Sequence, residues 1–219
     1  MVDFGRARKA MVDNQLRTSA ITDRTLLAVM GRIPRERFVP KDRESLAYID
    51  EPHLLQPGRS KRALSAPAPF AKLVQLAEIR HDDRVLDLGC GSGYSVAVLA
   101  ALAGHVVAVD DQPDLVTLTR DNLQGLGVEN VTVAQASLSA GAPDLGPFDV
   151  ILVEGAVGAV PDALFEQLAD GGRLVALIQR GATSVANLFV KSGEDVAGRP
   201  VFNASLPPLA DPGEDRFVF

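Results

Sequence analysis

Three glycines at alternate positions, Gly89, Gly91 and Gly93, sit in the run Asp87-Leu88-Gly89-Cys90-Gly91-Ser92-Gly93. No other feature narrows the choice of fold so far. A Val- and Leu-rich stretch from Arg84 to Leu88 leads in and a mostly apolar stretch from Tyr94 to Ala103 leads out, so the order reads strand, glycine turn, helix. Glycine permits positive φ in such a turn, and without a Cβ it lets a ligand lie against the backbone. A second apolar run, His105 to Val109, predicts the next strand, whose end sets Asp110 beside the turn as an acceptor for two ribose hydroxyls. Together these pieces predict a nucleoside-binding crevice. Asp111 reads either as a second acid of that crevice or as a solvated strand-end residue.

Nicotinamide dinucleotides and S-adenosylmethionine both bring a ribose to this place. A dinucleotide fingerprint wants G-x-G-x-x-G/A, with a helix amino end aimed at a pyrophosphate. Here the spacing is two and two, and an acid, Asp87, precedes the first glycine. That pattern favours a cationic ligand without phosphates, whose α-amino group is held by carboxylate or carbonyl oxygens and whose sulfonium tolerates acidic surroundings. S-adenosylmethionine is the expected cofactor, with a nicotinamide cofactor as the alternative.

Composition excludes several other classes. At 219 residues, 47% hydrophobic and 23% charged, the chain is long enough for one sizeable core or one core with a small extension. The net charge is −6 and Lys and Arg are scattered, so the long-range field repels nucleic acid. No run approaches the roughly 18 apolar residues of a membrane span, and the amino end lacks the apolar segment of a signal peptide. The expectation is a cytosolic protein and a monomer, with neither nucleic acid nor membrane as partner. Cys90, the one cysteine, sits inside the glycine turn with no histidine or lysine near it in sequence to activate a thiol. His53, His81 and His105 are isolated and show no metal-ligand spacing, so no metal site is expected.

Along the chain, residues 5–31 predict two helical pieces, with Thr22 and Asp23 at the start of the second. Pro34, Pro40, Pro52 and Pro57 then break the segment from Arg35 to Arg62 into a loop-rich lid or collar. Helical character resumes from Ser65 to Ala77. Strands near 84–88, 105–110, 131–135, 149–153 and 173–178 alternate with helices near 94–103, 112–126 and 161–169. Gly181 to Ser184 and Ser192 to Gly198 are links too short for crossover helices, so Val185 to Lys191 and Arg199 to Ala204 predict antiparallel hairpin strands. Pro207, Pro208 and Pro212 forbid regular structure before Phe217-Val218-Phe219, which either packs back or frays. The fold class is α/β: a Rossmann-like doubly wound sheet with a helical extension and antiparallel closing strands. One domain is expected over 1–219, with 1–80 as forepart and 81–219 as core and tail.

Further residues carry a resemblance. Gln15-Leu16, Ile21-Thr22-Asp23, the segment Ile33-Pro34-Arg35-Glu36-Arg37-Phe38-Val39-Pro40, Ala47-Tyr48-Ile49-Asp50 and Leu64-Ser65-Ala66-Pro67 come first. Val85 to Tyr94, Phe148-Asp149-Val150-Ile151, Val160-Pro161, Gln167-Leu168 and Gly171-Gly172-Arg173-Leu174 follow. Over most of its length the chain resembles the protein-L-isoaspartate O-methyltransferase family, which methylates the abnormal carboxylate of isoaspartyl residues in damaged proteins. The resemblance implies S-adenosylmethionine as donor and an isoaspartyl peptide or protein as acceptor. Gly89, Cys90, Gly91, Ser92 and Gly93 fall within its glycine motif, which many methyltransferases share.

Departures fall around the acceptor site. The family's T-I-S is Ala63-Leu64-Ser65 here, and the segment between Asp50 and Ser65 is longer than usual. By resemblance Ser65 is the hydroxyl nearest the reacting carboxylate; it also reads as a helix N-cap before Pro67. The family's G-D-G after the third strand is Ala136-Ser137-Leu138, which leaves adenine recognition to backbone and a hydroxyl. Its T-A-A after the fourth is Glu154-Gly155-Ala156. A carboxylate at Glu154 either opposes an anionic acceptor or pairs the ligand's ammonium group. Loss of the usual adenine acid is also compatible with a relative that binds the nucleoside without turnover, and the changed acceptor residues with another methyl acceptor.

Overall fold

Asp3 and Asp23 each start a helix by accepting a backbone amide hydrogen in its first turn, Asp3 from Arg6 at 3.0 Å and Asp23 from Thr25 and Leu26 at 2.8 and 3.0 Å. In the computed structural model, which describes residues 2–56, 58–181 and 183–209, these helices are α1 (Phe4–Met11) and α2 (Arg24–Met30). A wide turn, Val12–Leu16, and a tight one, Arg17–Ser19, carry α1 onward until Ala20 closes it in the left-handed region at φ 63°. The collar holds two 3₁₀ turns, Arg35–Phe38 and Lys41–Leu46, and a small antiparallel pair, β1 (His53–Leu54) with β2 (Ala63–Leu64). Helix α3 (Pro67–Ala77) follows.

Then come β3 (Arg84–Leu88), α4 (Tyr94–Ala100), β4 (His105–Asp110), α5 (Pro113–Gln124), β5 (Val131–Gln135), β6 (Phe148–Val157), α6 (Asp162–Glu166), β7 (Leu168–Arg180), β8 (Thr183–Ser192) and β9 (Asp195–Ala204). One seven-stranded sheet runs in the order β5-β4-β3-β6-β7-β8-β9. The first five are parallel, and β8 and β9 are antiparallel hairpin strands, as the short links require. Period-two alternation divides the core. Val85, Val106, Ala108, Val150 and Leu152 pack against α2, α3 and α4, while Leu86, Val107, Val109, Ile151 and Val153 face α6 and the tail. Strand order reverses between β3 and β6, which opens a crevice at the carboxyl end of β3.

Several boundaries differ from expectation. Strand β6 runs to Val157 through Glu154 and Gly155, with an irregular register against β7 between Leu152 and Ala156; polar and glycine positions hid this part. Helix α6 is shorter because the Gln167 side chain serves the neighbouring loop, accepting from Ala142 N at 2.8 Å and donating to the Ala140 and Ala163 carbonyls. Strand β7 begins at Leu168, and β8 and β9 absorb most of the expected links. After β9 the tail returns to the sheet: Ala156 N donates to the Pro207 carbonyl and Leu209 N to the Ala156 carbonyl, both at 3.0 Å. Pro212 and Phe217-Val218-Phe219 lie outside the described residues.

Candidate active site

The glycine turn lies at the carboxyl end of β3, where Gly89 and Gly91 have φ of 83° and 59°. L-residues rarely adopt these angles, which accounts for glycine at both. Gly89 N donates to the Val109 carbonyl at 2.8 Å, tying the turn to β4. Gly91 N donates to Asp110 Oδ2 at 3.0 Å, and Gln112 N donates to Asp110 Oδ1 at 3.1 Å. Gly93 caps α4, and Thr119 of α5 reaches over to donate to the Gly91 carbonyl at 2.8 Å. The turn is therefore held from three sides.

Four acids gather here. Asp87, fully buried, accepts from Ser95 Oγ at 2.6 Å through Oδ2 and keeps Oδ1 without a partner. Burial raises its pKa, Ser95 opposes the shift and Asp110 adds to it. Burial likewise raises Asp110, while Arg62 opposes. Glu154 Oε1 is sealed from solvent and unpartnered; burial and then Asp87 push its carboxyl well above the ordinary range, against the pull of Arg35. Asp111 is half-exposed and receives Arg62 Nη2 at 2.7 Å, so it is neither a free surface acid nor a buried one.

The remaining expected residues are placed less uniformly. Cys90 Sγ stands 3.8 Å from Thr119 Oγ1, and burial raises its pKa, with Asp110 and Asp87 adding to the effect, which leaves an inert thiol. Ser92 Oγ is buried without a partner. Leu138 is buried beside an apolar cavity lined also by Leu88, Val153, Val157, Leu164 and Leu209, whereas Ser137 is exposed with its hydroxyl 2.9 Å from Ser139 Oγ. Among the described residues no group of His, Cys, Asp and Glu could hold a metal ion, and no helix is long and apolar enough to cross a membrane.

Ser65 is not the cap of α3. Ala66 occupies that position, and Asp50 Oδ1, reaching from the collar, accepts from Ala68 N at 3.1 Å. The capping reading is corrected, because the helix amino end is already served from a distance. Ser65 is itself positioned by Arg35, whose Nη2 donates to its carbonyl at 2.7 Å while Nε donates to the Ala47 carbonyl at 2.7 Å. Arg35 is wholly buried, stacks on Tyr94 at 4.9 Å, and leaves Nη1 unpartnered, as Tyr94 leaves its hydroxyl. Its motif was legible; its role as a strut was not.

His53 Nε2 is buried nearby without a partner. Burial, reinforced by Arg35 and Arg43, lowers its pKa from 6.5 to about 4. Between those values the unfolded chain takes up a proton that the folded chain refuses. The stability His53 confers is therefore whole above pH 6.5 and is lost as pH falls toward about 4. His53→Gln should flatten this acid limb in urea titrations; an identical pH profile in both proteins would contradict the assignment.

Three side chains lie against the turn that no sequence signal announced. A Cβ on Gly89 would meet Leu209 Cδ1 and stand 2.9 Å from Arg62 Nη1; one on Gly91 would stand 2.8 Å from Leu55 Cδ1. Leu55 and Arg62 belong to the collar and Leu209 to the tail. The bare glycine cradle and the orphaned oxygens of Asp87 and Glu154 fit a cationic nucleoside once those side chains yield.

Sheet order, switch-point glycine turn and strand-end acid define the Rossmann-like nucleoside-binding class of α/β proteins. A profile of the protein-L-isoaspartate(D-aspartate) O-methyltransferase family matches residues 6–211. Similar curated proteins include the protein-L-isoaspartate O-methyltransferase of Methanoculleus marisnigri, 42% identical and covering 93% of this chain and 91% of that one. That of Koribacter versatilis is 40% identical over 87% and 83%. A solved protein-L-isoaspartate O-methyltransferase superposes with TM-score 0.81 at 26% identity, covering 92% of this chain and 65% of that one. The chain belongs to the protein-L-isoaspartate(D-aspartate) O-methyltransferase family.

Proposed function

We propose that the protein transfers the methyl group of S-adenosylmethionine to the free carboxylate of L-isoaspartyl residues, a repair reaction on damaged proteins. The observation that carries this reading is family membership across residues 6–211, on a chain whose Asp110 is anchored to the glycine turn. Bound S-adenosylmethionine supplies an electrophilic methyl group on a sulfonium. Asp110 holds the ribose hydroxyls, with Asp111 at the rim, and the backbone from Gly89 to Gly93, with Cys90 and Ser92, forms the bed. Asp87 Oδ1 and Glu154 Oε1 take the ligand's ammonium group. Leu138 flanks the adenine, with the Ser137 backbone beside it.

The chemistry asks for position rather than proton transfer. A free carboxylate has a pKa near 4 and is ionised at neutral pH, so no general base is required. Ser65 Oγ orients one acceptor oxygen and leaves the other free to attack. Orientation of this kind supplies several kcal/mol, up to roughly 7 to 11 in ideal cases. Exclusion of water by the collar strengthens the attraction between anion and sulfonium. The reading takes residues 1–219 as one domain, acting as a cytosolic monomer on flexible peptide segments.

Ser65→Ala should lower kcat for an isoaspartyl peptide by one to two orders of magnitude, about 1.4 kcal/mol per tenfold, while leaving cofactor affinity unchanged. Methyl transfer from labelled S-adenosylmethionine tests both. Wild-type turnover on isoaspartyl but not aspartyl peptide supports repair, and cofactor binding without any transfer overturns it.

A further inference from the structure

The nucleoside crevice contains parts of the chain itself. Arg62 is buried to within 3% of its side-chain surface, yet only Nη2 has partners, Asp111 Oδ1 at 2.7 Å and Asp110 Oδ1 at 3.6 Å. Nε and Nη1 make no hydrogen bond, and Nη1 faces the bare Gly89 backbone. Leu209 lies over the same glycine and over Gly155, where a Cβ would stand 2.9 Å from its own Cβ. Leu55 covers Gly91. A guanidinium donating to the two strand-end acids and two leucines on a glycine bed occupy what the expected ligand needs there: the acceptors of its ribose hydroxyls, and the space against the turn.

Both segments are also clasped. Ser60 Oγ accepts from Gln112 Nε2 at 2.8 Å and from Arg62 N at 3.0 Å, and Leu55 N donates to the Arg62 carbonyl at 3.0 Å. Across the crevice Leu209 is strung to Ala156 of β6. The clasp leaves two guanidinium nitrogens without acceptors, and a buried donor without a partner is costly. The seat is thus filled by an under-satisfied occupant, which a better-matched set of hydrogen-bond donors can displace.

We propose that Leu55 and Arg62 of the collar, with Leu209 on the other side, form a two-sided plug that competes with the nucleoside, Arg62 occupying as a hydrogen-bond donor the strand-end acids Asp110 and Asp111 that the ribose hydroxyls need. The inference rests on the crevice being the nucleoside site. Ligand entry must then break the Arg62 pairing and lift Leu209, so that opening, not encounter, limits binding at high ligand concentration. Removing the plug removes both the gate and the competition.

The test is stopped-flow and calorimetric binding of S-adenosylhomocysteine to the full chain, to Arg62→Gln, to Leu209→Ala and to the double variant. Wild-type observed rates should saturate with ligand concentration, whereas those of the double variant rise linearly and its affinity increases at least tenfold. Hydrogen exchange supplies an independent readout: ligand should deprotect the amides of Leu55 and Leu209 in the wild type. Binding by the double variant alone supports a plug that locks the site. Equal rates, equal affinities and unchanged exchange across all four proteins overturn the plug and leave the nucleoside site standing. Absence of binding in every protein overturns the nucleoside site and the plug with it.

Discussion

Gly91→Val should reduce S-adenosylmethionine affinity at least a hundredfold, equivalent to about 2.7 kcal/mol. Residue 91 sits at φ 59°, where a β-branched side chain is a steric outlier. Relief requires the peptide to rotate, which takes the Gly91 amide away from Asp110 Oδ2 and the Gly91 carbonyl away from Thr119. Asp110 would then lose the bond that aims it. The loss should appear in calorimetry while far-ultraviolet circular dichroism stays that of the wild type, since β3 and α4 end on either side of the altered peptide. Unchanged affinity in a folded variant would remove the glycine turn from the site.

Arg35→Ala should cost on the order of 3 kcal/mol of stability, from two carbonyls deprived of their donor and the void left beside Tyr94, partly offset by relief of a buried charge. The carbonyls are those of Ala47 and Ser65, so the same substitution frees the segment on which Ser65 is carried. Turnover should fall with stability, and Arg35→Lys should recover only part of either, because one ammonium cannot reproduce a fork that spans two acceptors. Urea denaturation gives the first quantity and peptide methylation the second. A loss below about 1 kcal/mol would mean that the buried guanidinium is not a strut.

The sheet was legible because its strands are short, apolar and interrupted by glycine and proline. Arg84 to Leu88, His105 to Asp110 and Val131 to Gln135 lie where period and punctuation put them. Strand β6 was underestimated because its last residues, among them Glu154 and Gly155, do not alternate; pairing with β7 and the tail makes them strand. Helix α6 was overestimated because a glutamine that reads as helical is recruited by a neighbouring loop. The same distinction holds at the site. Spacing alone brought Gly89, Gly91, Gly93 and Asp110 together, since they lie on consecutive elements of one βαβ unit. Arg62, Leu55 and Leu209 come from segments far apart in the chain, and nothing local marks them.

Residue order by itself was enough for the Rossmann-like sheet, the glycine bend and its acid, and the family to which they belong. Those properties follow from backbone freedom and from periodicities of two and 3.6 residues, which are local. Three things depended on the folded chain: that Asp50 rather than Ser65 caps α3, that Arg35 carries Ser65, and that the crevice holds a guanidinium and two leucines. Each depends on which distant groups share a desolvated space, and long-range packing alone decides that.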